Sequence, residues 1–172
     1  MPRLLIAALC GALACLSFNP TTTHAEDKPL VPLRRAGKWE MKTVMDEGFG
    51  PREQVLTMCI DADMERNTAE ASRTSHQQNC SKYDVTRADG TTTVEALCDF
   101  DGRKVESVTK MSGDFATTFK VTIDSKTSGQ ERGQSVSVKR TITQDGKYLG
   151  ENCGELSAGE AMGTDGHKIM VQ

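Results

Sequence analysis

Cys80-Ser-Lys-Tyr-Asp-Val-Thr-Arg-Ala-Asp-Gly-Thr-Thr-Thr-Val-Glu-Ala-Leu-Cys-Asp-Phe100 is two alternating runs around an Asp-Gly pair, the strongest short-range signal for a β-hairpin. A two-residue type I′ turn at Asp89-Gly90 sets Val85 opposite Val94, Tyr83 opposite Ala96 and Ser81 opposite Cys98. The apolar groups then share one face. A three-residue loop would set Tyr83 against Glu95 and Val85 against Thr93 and scatter them over both faces. The two-residue turn is therefore the expected one. In that register Cys98 points to the apolar face and Cys80 to the other, so their Cβ vectors diverge and a direct bridge between them is not expected.

Working outward, a second Asp-Gly pair, Asp101-Gly102, closes the next turn and opposes Cys98 to Val105 and Ala96 to Ser107. Lys104 to Met111 forms the following strand. Asp114 to Asp124 alternates cleanly, with Phe115, Phe119, Val121 and Ile123 inward and Lys120, Thr122 and Asp124 outward. Ser125 to Gly133 reads as a polar loop. Val136, Val138 and Ile142 mark another strand, and Asp145-Gly146 reads as a turn into Tyr148-Leu149. On the N-terminal side, Gly37 to Met45 alternates, with Trp39, Met41, Thr43 and Met45 on one face. After the break at Asp46 to Pro51, Gln54 to Ile60 is a second strand. Asp61 to about Arg73 is the one helical candidate, with Asp61 as N-cap and Asp63 and Glu65 supplying first-turn negative charge. Its apolar stripe (Met64, Thr68, Ala71) is thin, so such a helix depends on docking. Thr74 to Asn79 reads as loop.

The fold class is mainly β: an antiparallel meander of about seven or eight strands, forming a curved sheet or partly closed barrel, with one short helix. A flat sheet would leave Trp39, Phe115 and Phe119 wet. Residues 26–35 are an extended lead-in, 36–153 a disulfide-stapled β domain, and 154–172, with four glycines and no period, a flexible tail.

The first 25 residues read as a signal peptide: Arg3, an apolar run from Leu4 to Leu16 too short to span a bilayer, and Thr23-His24-Ala25 as cleavage site. A retained anchor and lipoprotein processing at Cys15 are the alternatives; the leucine a lipobox has three places before its cysteine is Ala12 here. Losing Arg3 moves the formal net charge from −3 to about −4. No basic cluster appears, which argues against nucleic acid as partner, and no other apolar run is long enough to span a membrane. Cys59, Cys80, Cys98 and Cys153 then remain, an even number suited to two disulfides in an oxidising compartment. None has CxxC spacing, so a redox motif or zinc knuckle has no support. Of three connectivities, the hairpin register argues against Cys80–Cys98, and the expected pairing is Cys59–Cys80 with Cys98–Cys153.

Several of these pieces together resemble DUF3617, a family of small exported proteins of Gram-negative bacteria with a domain of unknown function. Its opening Pro-Gly-x-Trp-Glu appears as Ala36-Gly37-Lys38-Trp39-Glu40, without the proline. Its Gly/Pro break leading to Cys-Leu and a short helix appears as Gly48-Phe49-Gly50-Pro51 and Cys59-Ile60. Its Cys-bounded hairpin is matched by Cys80, Gly90 and Cys98, and its closing Gly-x-x-Cys by Gly150 to Cys153. The resemblance covers Arg35 to Cys153 and implies a periplasmic or envelope address with no assigned activity.

Chemistry-bearing patterns are sparse. His76 is the one histidine with any claim to a Ser-His-Asp or Cys-His hydrolytic site, which needs a histidine held by a rigid scaffold. Asp61, Asp63 and Glu65 lack the glycine and closing glutamate of a calcium loop and read as helix-start charge. Met162, His167 and Met170 form a possible copper(I) set, since thioether and imidazole suit that ion. No phosphate-cradling glycine loop and no cofactor motif is present. Trp39, Met41, Phe115 and Phe119 are the candidate binding residues, lining either an ordinary core or a pocket for an apolar ligand. The expectation is a non-enzymatic module of the periplasm, binding a protein partner or a small apolar ligand.

Overall fold

The computed structural model describes residues 30–171; the signal-peptide reading lies outside them. Nine strands form one antiparallel sheet: β1 Gly37–Asp46, β2 Arg52–Ile60, β3 Cys80–Ala88, β4 Thr91–Phe100, β5 Arg103–Gly113, β6 Thr118–Glu131, β7 Gln134–Gly150, β8 Glu160–Gly163 and β9 Lys168–Met170. Their spatial order is β3-β4-β5-β6-β7-β1-β2-β8-β9. The sheet stays open, with β3 and β9 at its edges. One helix, α1 Ala62–Asn79, joins β2 to β3 and lies over β3 and β4. Among the described residues the architecture is mainly β with a single helix.

The hairpin register is as read: Val85 faces Val94, Tyr83 faces Ala96, Ala96 faces Ser107 and Cys98 faces Val105. Both residues of each Asp-Gly turn have positive φ (50° and 72°; 54° and 78°), the type I′ signature. A third such turn, Arg132-Gly133 (51° and 79°), closes β6 onto β7, so the expected loop from Ser125 to Gly133 is paired strand almost throughout.

Four further expectations are corrected. The disulfides are Cys59–Cys153 and Cys80–Cys98, not Cys59–Cys80 and Cys98–Cys153. The cause is a register shift between Cys80 and Lys82 that sets Cys80 rather than Ser81 opposite Cys98. One extra residue inverts the facing of everything beyond it, so Cys80 turns to the face of Cys98. Second, Asp145-Gly146 is not a turn but the middle of β7, where Gly146 lies between Phe119 on β6 and Met41 on β1. Third, Thr74 to Asn79 is helical and carries α1 straight into β3, with the Cys80 N–H donating to the His76 carbonyl. Fourth, residues 154–171 are not a flexible tail. Cys153 is bonded to Cys59, β8 pairs with β2, and Leu156 and Ala161 are buried.

The core sits on one face of the sheet where β6, β7, β1, β2 and β8 lie side by side. Trp39, Met41, Met58, Ile60, Phe119 and Ala161 meet there, with Phe115 folded over them from the β5–β6 turn. Trp39 is 0 % exposed; its indole N–H donates to the Arg35 carbonyl at 2.7 Å. Its ring packs against Phe119 and Tyr148, each with centroids 5.4 Å away. Phe115 stacks on Phe119 at 5.1 Å, although its own φ is +56°. Asp114 holds that strained turn: its carboxylate accepts the N–H groups of Ala116, Thr117 and Thr118 and the Thr117 hydroxyl.

Two outcomes follow from this packing. A Cβ at Gly146 would lie 2.2 Å from the Phe119 ring, so Gly146→Ala must push that ring out of the core and is expected to lower stability by about 2 kcal/mol, read as a drop in the urea midpoint. The hydrogen bonds from Thr117, Thr118 and Ala116 hold the Asp114 carboxyl far below the ordinary carboxylate range. A carboxyl depressed on folding stabilises the native state above its unfolded pKa, and that contribution fades as pH falls toward the native value. Stability is therefore expected to decline on acidification below about pH 4, and Asp114→Asn to make that decline shallower, measured by urea unfolding at stepped pH.

Candidate functional site

Leu30-Val31-Pro32-Leu33-Arg34 leads into β1, bent at Leu30 and Val31 and neither helix nor strand from Pro32 to Arg35; Pro32 fixes its own φ. The segment lies beside α1 rather than pairing with a strand. α1 begins at the Asp61 cap, whose carboxylate accepts the N–H groups of Asp63 and Met64. This is the helix-start role read from the sequence, and it places Glu65 on the inner side of the first turn. Glu65 is the one α1 residue that is buried. Arg34 closes on it as a fork: its Nε and backbone N–H donate to Oε1 at 2.9 and 3.1 Å, and its Nη2 to Oε2 at 2.6 Å. The side chains of the pair are 18 % and 10 % exposed, so the contact is charge-assisted and largely shielded from water.

Past that clasp the helix and the lead-in part. Between them opens a cleft of about 1070 Å³, lined by Leu30 to Arg34, by Glu65, Arg66, Thr68, Ala69, Glu70, Ser72 and Arg73 of α1, and by Tyr83 of β3. Its lead-in wall is aliphatic, Leu30 to Leu33, with Ala69 and the Tyr83 ring opposite, and its helix wall also carries Thr68, Ser72 and the charged Glu65, Arg66, Glu70 and Arg73. Burial pushes the Tyr83 hydroxyl up from its ordinary pKa, which keeps it a neutral donor. The nearby arginines carry partners at the rim, Arg66 with Asp63 and Arg73 with Glu70.

A second depression, about 890 Å³, crosses the opposite face of the sheet over β3 to β7. Two transverse rows floor it. One is Thr141, Asp124, Val108 and Glu95; the other is Lys139, Lys126, Glu106, Leu97 and Lys82. The first row carries only negative charge, Asp124 and Glu95, and the second is mainly positive, Lys139, Lys126 and Lys82 with Glu106. Glu95 raises the Lys82 pKa and Lys82 lowers that of Glu95 across a 2.6 Å contact. That pair is exposed and satisfies itself, so it adds little field of its own.

The residues expected to form a site are placed as follows. Trp39, Met41, Phe115 and Phe119 are brought together, but as the packed core, between 0 % and 7 % exposed. Neither depression is lined by any of them, so they offer a ligand no surface. His76 sits near the C-terminal end of α1, not in a loop. Its Nδ1 is 2.6 Å from the Ser72 carbonyl and 3.3 Å from the Ser72 hydroxyl, and its ring packs on Tyr83 at 4.6 Å. A nitrogen that donates its proton to a carbonyl has no lone pair with which to deprotonate the neighbouring hydroxyl, so the Ser72-His76 contact is not a nucleophile–base pair. Met162 stands opposite Lys168, and Met170 opposite Glu160, on the β8–β9 hairpin, with His167 in its connection. The end of the Met170 side chain lies with that of Met64 over Gly159, which is packing. Asp99 accepts the Gly102 N–H at 2.8 Å and serves the turn. The cleft residues were missed. The one trace of them in the sequence is the four-residue apolar run Leu30 to Leu33 inside an otherwise charged lead-in.

The family model described as a protein of unknown function, DUF3617, matches residues 34–153. No curated protein and no solved structure matches the chain. Among the described residues no helix is long and apolar enough to cross a membrane.

Removing Glu65 would leave the Arg34 guanidinium shielded without its fork partner. Glu65→Ala is expected to cost about 3 kcal/mol, read by urea unfolding, and to loosen the lead-in, read as faster amide hydrogen exchange at residues 31–35.

Proposed function

The chain belongs to the DUF3617 family, and from that premise we propose that it is an exported, non-enzymatic binding module of the cell envelope that holds a small apolar ligand between residues 30–34 and α1. The single observation that carries the reading is the helix itself. Eighteen residues of α1 bury one side chain, Glu65, and among the described residues the space beneath is a cleft. A helix that does not pack on its own account normally lacks a reason to be ordered. An apolar ligand lying along Leu30, Leu33, Ala69 and Tyr83 supplies the missing contact, and the Tyr83 hydroxyl offers one polar handle. The size of the cleft suits a molecule of a few tens of heavy atoms.

Export fits the two disulfides, which persist in oxidising compartments, and the apolar N-terminal segment read from the sequence. A non-catalytic role fits the way His76 is tied up by a backbone carbonyl and an aromatic ring.

The test is a titration of the purified chain with an apolar fluorescent probe such as anilinonaphthalene sulfonate. Ala69→Trp, which fills the cleft from the helix side, is expected to weaken the probe at least about tenfold, some 1.4 kcal/mol, while thermal unfolding stays close to the parent. Equal probe affinity in parent and variant would overturn the assignment of the cleft.

A further inference from the structure

We propose that His76, Cys80 and Cys98 form a latent zinc site that is closed by the Cys80–Cys98 disulfide and opened by its reduction. A ring nitrogen of His76 and the two Sγ atoms lie within 4.8 Å of one another. Tetrahedral zinc with bonds of about 2.0 to 2.3 Å wants its donors about 3.5 to 3.8 Å apart, so the sulfurs must separate once the disulfide opens and the imidazole must close by up to about 1 Å. Two features of the fold pre-arrange the set. His76 and Cys80 are joined by the last turn of α1, whose end is tied by the Cys80 N–H to the His76 carbonyl. Cys80 and Cys98 face each other across the β3–β4 ladder, which holds them opposite whether or not the sulfurs are bonded. The donor chemistry agrees. His76 Nδ1 gives its proton to the Ser72 carbonyl, which leaves Nε2 with the free lone pair. A backbone acceptor on the far nitrogen is the usual outer partner of a zinc-bound histidine. Two thiolates neutralise the dication, so no net charge is buried, and the fourth position is left to water, since Cys80 and His76 are only partly buried.

The redox step balances with a dithiol as reductant. One of its thiolates attacks Sγ of Cys80, the less buried residue of the two, and Cys98 leaves as thiolate. The second thiol closes the reductant into its own disulfide, so two electrons and two protons pass to Cys80 and Cys98. Zinc then displaces the two thiol protons to solvent. The site was hidden from the sequence because its ligands come from a helix end and two neighbouring strands rather than from a CxxC run. It does not rest on the ligand cleft.

The test is an anaerobic titration of the whole chain with Co²⁺ as a spectroscopic stand-in for zinc, followed by competition with Zn²⁺. The chain is first reduced with a phosphine and desalted, and far-ultraviolet circular dichroism confirms that the sheet is retained. The reduced chain is expected to give the near-ultraviolet thiolate-to-cobalt band and visible d–d bands, lost on adding Zn²⁺, and the oxidised chain none. Cys80→Ser/Cys98→Ser is expected to abolish the bands although Cys59 and Cys153 are reduced. His76→Ala is expected to weaken Co²⁺ by at least about tenfold, the effect that losing even an outer partner of a zinc ligand produces; His76→Gln replaces it if the alanine variant loses its β signature. Absence of the bands in the reduced chain, loss of the sheet on reduction, their persistence in the double serine variant, or an unchanged affinity without His76 would each overturn the proposal.

Discussion

The burial of Trp39 organises the molecule. An open sheet with one helix has far more apolar face than the helix can cover, and Trp39 marks where the chain solves that shortage. Its ring is closed in by Phe119 and Tyr148 from strands two and one places away, by Met58 opposite it on β2, and by the lead-in, whose Arg35 carbonyl takes the indole N–H. Arg35 also donates its backbone N–H to the Phe115 carbonyl and lies over the Tyr148 ring at 4.6 Å. The lead-in and the β5–β6 turn are thus pinned over the same ring cluster, one from each side. Residues far apart in the chain are committed together, and the burial of large aromatics is the largest favourable term available to a chain with so few of them.

That arrangement explains why Gly146 matters. The Phe119 ring needs a place on the sheet where no side chain rises, and the β7 residue in register with it is glycine. From sequence, the Asp145-Gly146 pair has the same letters as the true turns at Asp89-Gly90 and Asp101-Gly102. Letters cannot separate a glycine used for left-handed φ from one used for lack of a Cβ; only the ring above it does. The alternation of β3 to β6 was legible because side-chain parity is a strict constraint once one face is buried. Parity also explains the error at the disulfides. The register deduced from Val85 and Val94 was right, and its extrapolation to Cys80 failed across one bulged residue. The last turns of α1 were illegible for a different reason. Thr74 to Asn79 has little intrinsic helix preference; its helicity comes from tertiary contacts, with His76 against Tyr83 and the Cys80 N–H on the His76 carbonyl. The strands β8 and β9 were missed because their periods are only four and three residues long, and their stability comes from pairing with β2 and from the Cys153 anchor.

The corrected disulfides give α1 its character. Cys59 lies two residues before its N-cap and Cys80 directly follows its last residue, and each cysteine is bonded to a different part of the molecule. The long closure from Cys59 to Cys153 restrains the unfolded chain by about 4.7 kcal/mol and the short one by about 3, and together they hold both ends of a helix whose faces are nearly all polar. Anchoring the ends sets where such a helix lies but leaves its middle without packing of its own, the contact that the proposed ligand supplies. This is how the same chain accommodates a poor amphipathic stripe, a buried Arg34–Glu65 clasp at one end and an open cleft between. Had the cysteines paired as 59 with 80, the helix would have been closed into a loop of its own, tied to neither the β4 ladder nor the C-terminal hairpin, and its distance from the sheet would have been left to packing it does not have. The cleft is therefore a consequence of the connectivity, and the sulfur bridge at its far end, beside His76, is where a change of redox state would be felt first.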